Sequence, residues 1–229
     1  MAEIAGSTQI NVSTPHRLLQ TLTRRGYAEQ NPDTRSYALG PQLLELGSAY
    51  AGHCDFIGAA LPCLEELREK VCETIYRAIY SDGDNVEICT TAGHQAVNVG
   101  FRAGDYEPAH CAATGKVQLA FLPEQGFERF VEHGPLVGRT AKSIIGEAAM
   151  VKELTRVREQ RYALDDEEFA PGLCCVGVPV NRSSGCVNAA ISIVPPNARF
   201  QPETVAGWVW LLNETAARIS RALGLSNGR

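Results

Sequence analysis

The sequence of 229 residues predicts an α+β protein with a small helical head and a larger domain built on an antiparallel sheet. Three observations support this. A short polar helix followed by a hairpin lies near the N-terminus, and an apolar helical segment comes next. The remainder has strands first, helices in the middle, then a hairpin and a last helix. That order is typical of an antiparallel sheet covered by helices.

The head contains a short helix that ends at Gly26. Ser13 or Thr14 can cap its N-terminus, and Pro15 suits a first helical turn. Leucines recur at helical spacing and are expected to face a core: Leu18, Leu19 and Leu22. The polar side chains then point outward, where a recognition helix carries its contacts to base edges and phosphates: His16, Arg17, Gln20 and Arg24.

The segment after Gly26 predicts a hairpin and a second helix. Tyr27–Glu29 and Ser36–Leu39 flank the turn Asn31-Pro32-Asp33-Thr34, a pattern typical of a short hairpin. A polar helix followed by a hairpin is the second half of a winged helix-turn-helix, so the sequence predicts DNA binding, with Arg35 in the wing. A helix from Pro41 to about Ala51 carries an apolar face and is expected to act as a linker and dimer helix.

The larger domain is predicted from periodicity and turn residues. The expected helices cover residues 57–71, 114–122, 123–132, 146–160 and 202–223. The expected strands cover residues 74–80, 85–91, 96–102, 174–180 and 186–193.

Composition is that of a globular protein, with 45% hydrophobic and 21% charged residues. The first 50 residues contain four basic and four acidic residues, so the net charge of −5 comes from the rest of the chain. An acidic body with a neutral head is compatible with sequence-specific DNA binding by a dimer. We find no apolar run long enough to span a membrane and no signal peptide, so a cytoplasmic location is expected.

Eight cysteines raise the alternatives of a disulfide framework or a metal site. None forms a CxxC pair, and their spacing matches no common zinc pattern. Reduced, mostly buried thiols are therefore expected, with Cys63 and Cys72 in a helix and Cys186 in a strand. A metal site from His94, His110 and Cys111 remains an alternative, although no metal or cofactor is expected.

Several motifs resemble the IclR family of bacterial transcriptional regulators. The head carries Ser13-Thr14-Pro15-His16-Arg17-Leu18-Leu19, then Gly26-Tyr27 and Tyr37-Ala38-Leu39-Gly40. The larger domain carries Ala113-Thr114-Gly115-Lys116, then Asp165-Asp166-Glu167-Glu168-Phe169-Ala170-Pro171-Gly172, then Ala189-Ala190-Ile191-Ser192-Ile193. The resemblance runs in order over nearly the whole chain. It implies a GAF/PAS-like effector-binding domain after the winged head.

The resemblance also shows two departures in the head. Met1 to Ala5 is similar to the first helix of the helix-turn-helix pair, and the family's preceding helix has no counterpart in the sequence. Gln9 stands where the family has a turn glycine, a position that costs a residue with a side chain more than it costs glycine. A start upstream of Met1 and a weakened head both remain open. We expect a winged head at 1–40, a linker and dimerisation helix at 41–56, and an effector-binding domain at 57–229.

The family's pocket for small metabolites implies five effector-binding residues, namely Ala113, Thr114, Asp165, Cys175 and Ser192. A helix start rich in small residues suits an anion, because free N–H groups and the helix dipole converge there. Capping by Thr114 and a solvated acidic turn at Asp165 are the alternatives. Val194 stands where members that bind short keto acids have a second serine, so a larger or aromatic acid is favoured.

These observations predict a ligand-responsive regulator that binds an operator in double-stranded DNA as a homodimer or tetramer. The expected DNA contacts are Ser13, Thr14, His16, Arg17, Gln20, Arg24 and Arg35. Repression is the commoner mode in the family and is favoured. A sensor without DNA binding is one alternative. A Cys–His enzyme built on His110 and Cys111 is another, disfavoured because adjacent residues on a strand point to opposite faces.

Overall fold

The computed structural model describes residues 13–53, 55–132, 134–181 and 187–223, which form an α+β protein. The chain divides into two compact units, Met1–Asp55 and Phe56–Arg229. The expected first helix at residues 1–5, Gln9 and Cys186 lie outside the described residues. The functional boundaries at residues 40 and 56 stay a prediction.

The first unit contains the expected helix, hairpin and helix. Its described elements are α1 (Ser13–Arg24), β1 (Ala28–Gln30), β2 (Tyr37–Leu39) and α2 (Gln42–His53). Helix α1 ends as the sequence predicts, because Gly26 adopts a φ of 75°. The Gly26 amide then donates to Thr23 O, and the Tyr27 amide donates to Leu22 O. This pair of bonds satisfies carbonyls of the last turn and directs the chain into the hairpin.

The hairpin and the end of α1 meet at a point where only glycine fits. Strands β1 and β2 are antiparallel, with Ala28 opposite Leu39. A Cβ on Gly40 would lie 2.1 Å from Gly26 O and 2.9 Å from the backbone nitrogen of Ala28. The Gly40 amide donates to Tyr27 O, and the Gln42 amide donates to Gly26 O. The wing is therefore fixed to the end of α1 through the backbone.

The second unit has five α-helices, one short 3-10 helix (Asn197–Arg199) and six strands among the described residues. The helices are α3 (Asp55–Val71), α4 (Ala113–Ala120), α5 (Glu124–Glu132), α6 (Glu147–Gln160) and α7 (Pro202–Ala222). The strands are β3 (Thr74–Ser81), β4 (Asp84–Thr91), β5 (Tyr106–Pro108), β6 (Ala163–Asp166), β7 (Cys174–Asn181) and β8 (Val187–Val194). All pairs in the sheet are antiparallel, in the order β5-β4-β3-β8-β7-β6.

Both faces of this sheet are covered. On one face, Tyr76, Cys175 and Ala190 belong to a buried cluster that includes residues of α4 and α6. The alternate residues Val176 and Ile191 are also fully buried, and α7 packs against β7 and β8. Strands β7 and β8 therefore have two buried faces, which explains their nearly continuous apolar sequences.

Two expectations about strands are wrong. Residues 96–102 form no strand, and the third strand is instead β5. The Tyr76 hydroxyl accepts from the Phe101 amide at 2.6 Å and donates to Val99 O at 2.8 Å. The Tyr76 side chain therefore binds backbone N–H and C=O groups that would otherwise pair with a neighbouring strand. Strand β6 was expected to be part of an acidic loop, but it pairs with β7, with Asp165 opposite Cys175.

Among the described helices, none combines the length and the apolar character that crossing a bilayer requires.

Candidate functional site

One face of α1 carries the polar side chains expected to meet DNA. Thr14, His16, Arg17, Gln20 and Arg24 are all exposed, whereas Pro15 between them is buried. The side chain of Ser13 lies outside the described residues. The exposed group combines two guanidinium groups, which suit phosphate, with imidazole and amide groups, which suit base edges.

Capping of α1 by Ser13 or Thr14 stays a prediction, because the residues before Ser13 lie outside the described part of the chain. One other detail of the expected helix is wrong. Leu18 and Leu22 are 54% and 42% exposed, and only Leu19 among the three leucines is half-buried. The leucine face of α1 is therefore only partly buried.

The wing turn places Arg35 at its exposed tip. Asn31 Oδ1 accepts from the amides of Asp33 and Thr34, at 2.9 and 3.0 Å. The Arg35 amide donates to Asn31 O, and Arg35 itself adopts a φ of 58°. This local bonding stiffens the turn and holds the Arg35 backbone in a left-handed conformation.

A cavity in the second unit receives a side chain from every strand of the six-stranded sheet. In sheet order these are Glu107, Glu87, Tyr76, Ser192, Cys175 and Asp165. Helix α4 closes one side with Ala112, Ala113 and Thr114, and Phe101, Leu173 and Val194 add apolar walls. The cavity itself has a volume of about 10 Å³, roughly enough for one water, and the empty space including the opening is about 250 Å³. All five expected effector residues therefore lie around one cavity.

The start of α4 is packed directly on the sheet. Its N-cap is Ala112, whose methyl side chain cannot accept a hydrogen bond, so capping by Thr114 is wrong. A Cβ on Gly177 of β7 would lie 3.1 Å from the backbone nitrogen of Thr114. The amides of the first turn thus lie at the cavity, where they can bind an anion.

Asp165 is a buried carboxyl, so the alternative of a solvated acidic turn is wrong for this residue. It is 1% exposed, and its Oδ1 accepts from the amides of Glu168 and Phe169 at 2.7 and 3.3 Å. Burial raises its pKa to about 7 despite these two bonds. Near neutral pH, Asp165 is therefore divided between a charged acceptor and a neutral donor.

Two further carboxyls line the cavity, and the sequence analysis did not identify them. Asn85 Nδ2 donates to Glu107 Oε2 at 2.9 Å and to Glu87 Oε1 at 3.3 Å. Gln118 of α4 in turn donates to Asn85 Oδ1 at 2.9 Å. Burial raises the pKa of Glu107 to about 7, and burial together with the charge of Glu107 raises the pKa of Glu87 well above its usual value. Their burial follows from the order of strands in the sheet, and no local sequence pattern marks it, because β4 buries only alternate residues, among them Asn85 and Glu87.

Aromatic rings cover the cavity on the side of the segment between β4 and β5. Tyr76 and Phe101 pack edge to face at 5.3 Å between centroids, and Phe101 and Phe169 do so at 5.6 Å. The guanidinium of Arg139 lies 4.9 Å from the centre of the Phe169 ring. Tyr76 and Phe101 line the cavity, whereas Phe169 packs against Phe101 without lining it.

The metal and enzyme alternatives gain no geometric support. Over the described part of the chain, no group of three His, Cys, Asp or Glu side chains is arranged to hold a metal. His94 lies 3.0 Å from Glu69, whereas His110 lies 3.1 Å from Val137 O. The premise that His110 and Cys111 share a strand is wrong, since both lie in the turn before α4. Burial raises the pKa of the Cys111 thiol, the reverse of what a nucleophile needs.

The cysteines in the described part of the chain are free thiols, as expected. Cys63, Cys111, Cys174 and Cys175 are buried, and Cys72 follows the end of α3 instead of lying in it. Burial raises the pKa of Cys175 well above its usual value, so the cavity contains a neutral thiol.

Comparison with known proteins identifies the family. A family model described as "Bacterial transcriptional regulator IclR C-terminal" matches residues 48–221, and the IclR helix-turn-helix domain matches residues 1–32. The transcriptional regulator XynR of Escherichia coli is 33% identical, over 98% of this chain and 89% of its own. The transcriptional repressor AllR of Salmonella typhi is 30% identical, over 98% of this chain and 83% of its own.

Solved structures of similar proteins identify the same family. An IclR regulator from Alicyclobacillus acidocaldarius superposes with a TM-score of 0.86 at 30% identity, covering 97% of this chain and 90% of that one. An IclR homologue from Microbacterium hydrocarbonoxydans, complexed with 4-hydroxybenzoate, superposes with a TM-score of 0.80 at 25% identity, covering 98% and 91%. The chain belongs to the IclR family of bacterial transcriptional regulators and combines a DNA-binding head with an effector-binding C-terminal domain.

Proposed function

We propose that this regulator is a repressor whose operator binding is relieved by a small organic acid bound in the cavity beneath α4. One observation carries the proposal. Five residues expected to bind the effector come from α4, β6, β7 and β8, and all of them line the same cavity. The relative AllR is a repressor, and a homologue holds 4-hydroxybenzoate, which supports the sign of regulation and the class of ligand.

The carboxylate of the acid binds at the start of α4. The amides of Ala113 and Thr114 donate to it, and the Ser192 hydroxyl adds a third donor. Asp165 contributes a fourth donor when it is protonated, which its pKa of about 7 allows at neutral pH. Val194 in the cavity wall provides an apolar surface where a second serine would favour a shorter, more polar acid.

The head binds double-stranded DNA with the exposed face of α1 in the major groove and the wing on the backbone. Ser13, Thr14, His16 and Gln20 contact bases or phosphates, whereas Arg17, Arg24 and Arg35 contact the phosphate backbone. The protein acts as a dimer or tetramer, because two heads are needed for two half-sites. Exposed leucines on α2 suit contact with a second copy, with Leu44 77% and Leu46 52% exposed. Its site of action is the cytoplasm, where bacterial DNA lies.

The environment of His110 and Cys111 supports a regulator and disfavours a Cys–His enzyme. The nucleophile of the enzyme alternative, Cys111, has a raised pKa, and burial lowers the pKa of the neighbouring His110. A neutral thiol beside a neutral imidazole lacks the thiolate that Cys–His catalysis requires.

Ser192→Ala tests the proposal, with Ser81→Ala as its matched control. Ser192 is 1% exposed in the cavity, whereas Ser81 is exposed at the end of β3. Fluorescence anisotropy with DNA from upstream of the protein's own gene measures operator affinity, with and without a panel of small acids. We expect wild type and Ser81→Ala to release DNA when an acid binds.

Ser192→Ala should hold DNA with unchanged affinity and release it only at acid concentrations about tenfold higher or more. A normal response from this variant would refute the assignment of the cavity. Weak, equal binding of the wild type to all fragments would instead favour a sensor without DNA binding.

A further inference from the structure

The end of the cavity formed by β4 and β5 contains two carboxyls that the proposed carboxylate site does not use. Glu87 and Glu107 are 2% and 5% exposed, and both line the cavity. Asn85 Nδ2 contacts Glu107 Oε2 and Glu87 Oε1, whereas Glu87 Oε2 is buried without a hydrogen-bond partner in the described part of the chain. A buried polar atom of this kind is costly unless something binds it.

The hydrogen-bonding capacity of this end is opposite to that of the α4 end. Two carboxyls side by side share protons, so one is a neutral donor while the other remains an acceptor. The raised pKa values of Glu87 and Glu107 agree with such a pair. A second carboxylate of a ligand would offer only acceptors here and would be repelled. A hydroxyl group donates and accepts, so it can accept from the neutral carboxyl and donate to the other.

We infer that Glu87 and Glu107 form a hydroxyl-binding end of the cavity, so that the effector is a hydroxy acid with its two polar groups at opposite ends. The inference rests on the proposed function, which places the carboxylate at α4. Strand β4 is separated from β8, which carries Ser192, by β3 alone. Two strand spacings are roughly 10 Å. A benzene ring or a short aliphatic chain between the two groups spans this distance once the side chains reach inward.

The walls of the cavity provide apolar surface for the body of such a ligand. Tyr76, Phe101, Leu173 and Val194 all line the cavity, and Tyr76 lies on β3 between β4 and β8. The cavity itself has a volume of only about 10 Å³, so its walls must separate to admit a ligand with one ring or one short chain.

Matched pairs of acids test the inference by isothermal titration calorimetry on the full chain. The pairs are 4-hydroxybenzoate with benzoate and 6-hydroxyhexanoate with hexanoate, which differ only in the terminal hydroxyl. We expect at least one hydroxy acid to bind about tenfold or more tightly than its partner, because a buried hydrogen bond to a carboxyl is gained. Equal affinities within both pairs would overturn the hydroxyl site and leave the carboxylate site standing. Failure of all four acids to bind would overturn both.

Substitution of Glu87 tests whether this carboxyl causes the preference for the hydroxy acid over the unsubstituted acid. Glu87→Met should remove the preference for the hydroxy acid while the affinity for the unsubstituted acid stays the same or rises. Glu65→Met is the control, since Glu65 is exposed on α3 and away from the cavity. Glu87→Gln keeps the size and the bond to Asn85, so it should fold and should lose part of the preference. A full preference retained in both Glu87 variants would refute the role of Glu87.

Discussion

Gly40→Ala should disable the DNA-binding head and leave the effector domain intact. The added Cβ would lie 2.1 Å from Gly26 O, 2.7 Å from Gly26 C and 2.9 Å from the backbone nitrogen of Ala28. Optimal contacts of this type are about 3.5 Å or more, so the two backbone segments must separate by about 1 Å. That movement breaks the bonds from the Gly40 amide to Tyr27 O and from the Gln42 amide to Gly26 O. Two bonds at about 1 kcal/mol each destabilise the head by about 2 kcal/mol.

Gly47→Ala is the matched control for this substitution. Gly47 lies in α2, and a Cβ there meets nothing within 4 Å. Alanine in a helix interior is favoured over glycine by about 0.5–1 kcal/mol, so this variant should bind DNA at least as well as wild type. We expect Gly40→Ala to lose about tenfold or more in affinity, measured by anisotropy, and to melt about 10 °C lower or more in the head. Equal affinities of the two variants would refute the claim that the backbone contact at Gly40 fixes the wing.

Three further predictions concern DNA binding by the head, acid binding in the cavity and the pH dependence of stability. Arg17→Ala should weaken DNA binding and reduce the salt slope of log affinity by about one, whereas an unchanged slope would exclude a phosphate contact. Gly177→Ala should weaken acid binding without affecting DNA affinity, because its Cβ would press on the Thr114 amide at 3.1 Å; Gly207→Ala, with nothing within 4 Å, is the control. Thermal stability of the effector domain should fall as pH rises from about 4 to 7, since Asp165 holds its proton to a pKa of about 7 when folded. Asp165→Asn should flatten that fall in circular dichroism melts.

The elements that the sequence predicts well are those specified by neighbouring residues. Gly26 ends α1, and the Asn31 turn closes the hairpin, because a positive φ and an Asx turn depend on residues within a few positions. The hairpin of β7 and β8 is similarly marked by two apolar runs. Interactions between neighbouring residues determine these structures, so the sequence alone is sufficient to predict them.

The features that the sequence does not predict depend on contacts between distant segments. Strand β6 is short and acidic, and it forms a strand only because it pairs with the edge of β7. Residues 96–102 have strand-like composition, but the Tyr76 hydroxyl 25 positions away binds the Phe101 amide. The resemblance to the family led to five cavity residues. Glu87 and Glu107 were missed because their burial follows from sheet order, which no local pattern states.

Three carboxyls line the cavity that we propose as the acid site, and their charges would repel the carboxylate of the acid unless they are protonated. An anionic carboxylate beside Asp165 favours the neutral form of that residue, because a like charge raises a carboxyl pKa that already stands at about 7. Binding of the acid at pH 7.5 should therefore take up protons from solution. Calorimetry in buffers with different ionisation enthalpies measures this uptake, and the affinity should rise as pH falls from 8 to 6.5. Asp165→Asn should show smaller uptake and a flatter pH profile. Binding without any proton uptake in the wild type would place the effector's carboxylate away from Asp165.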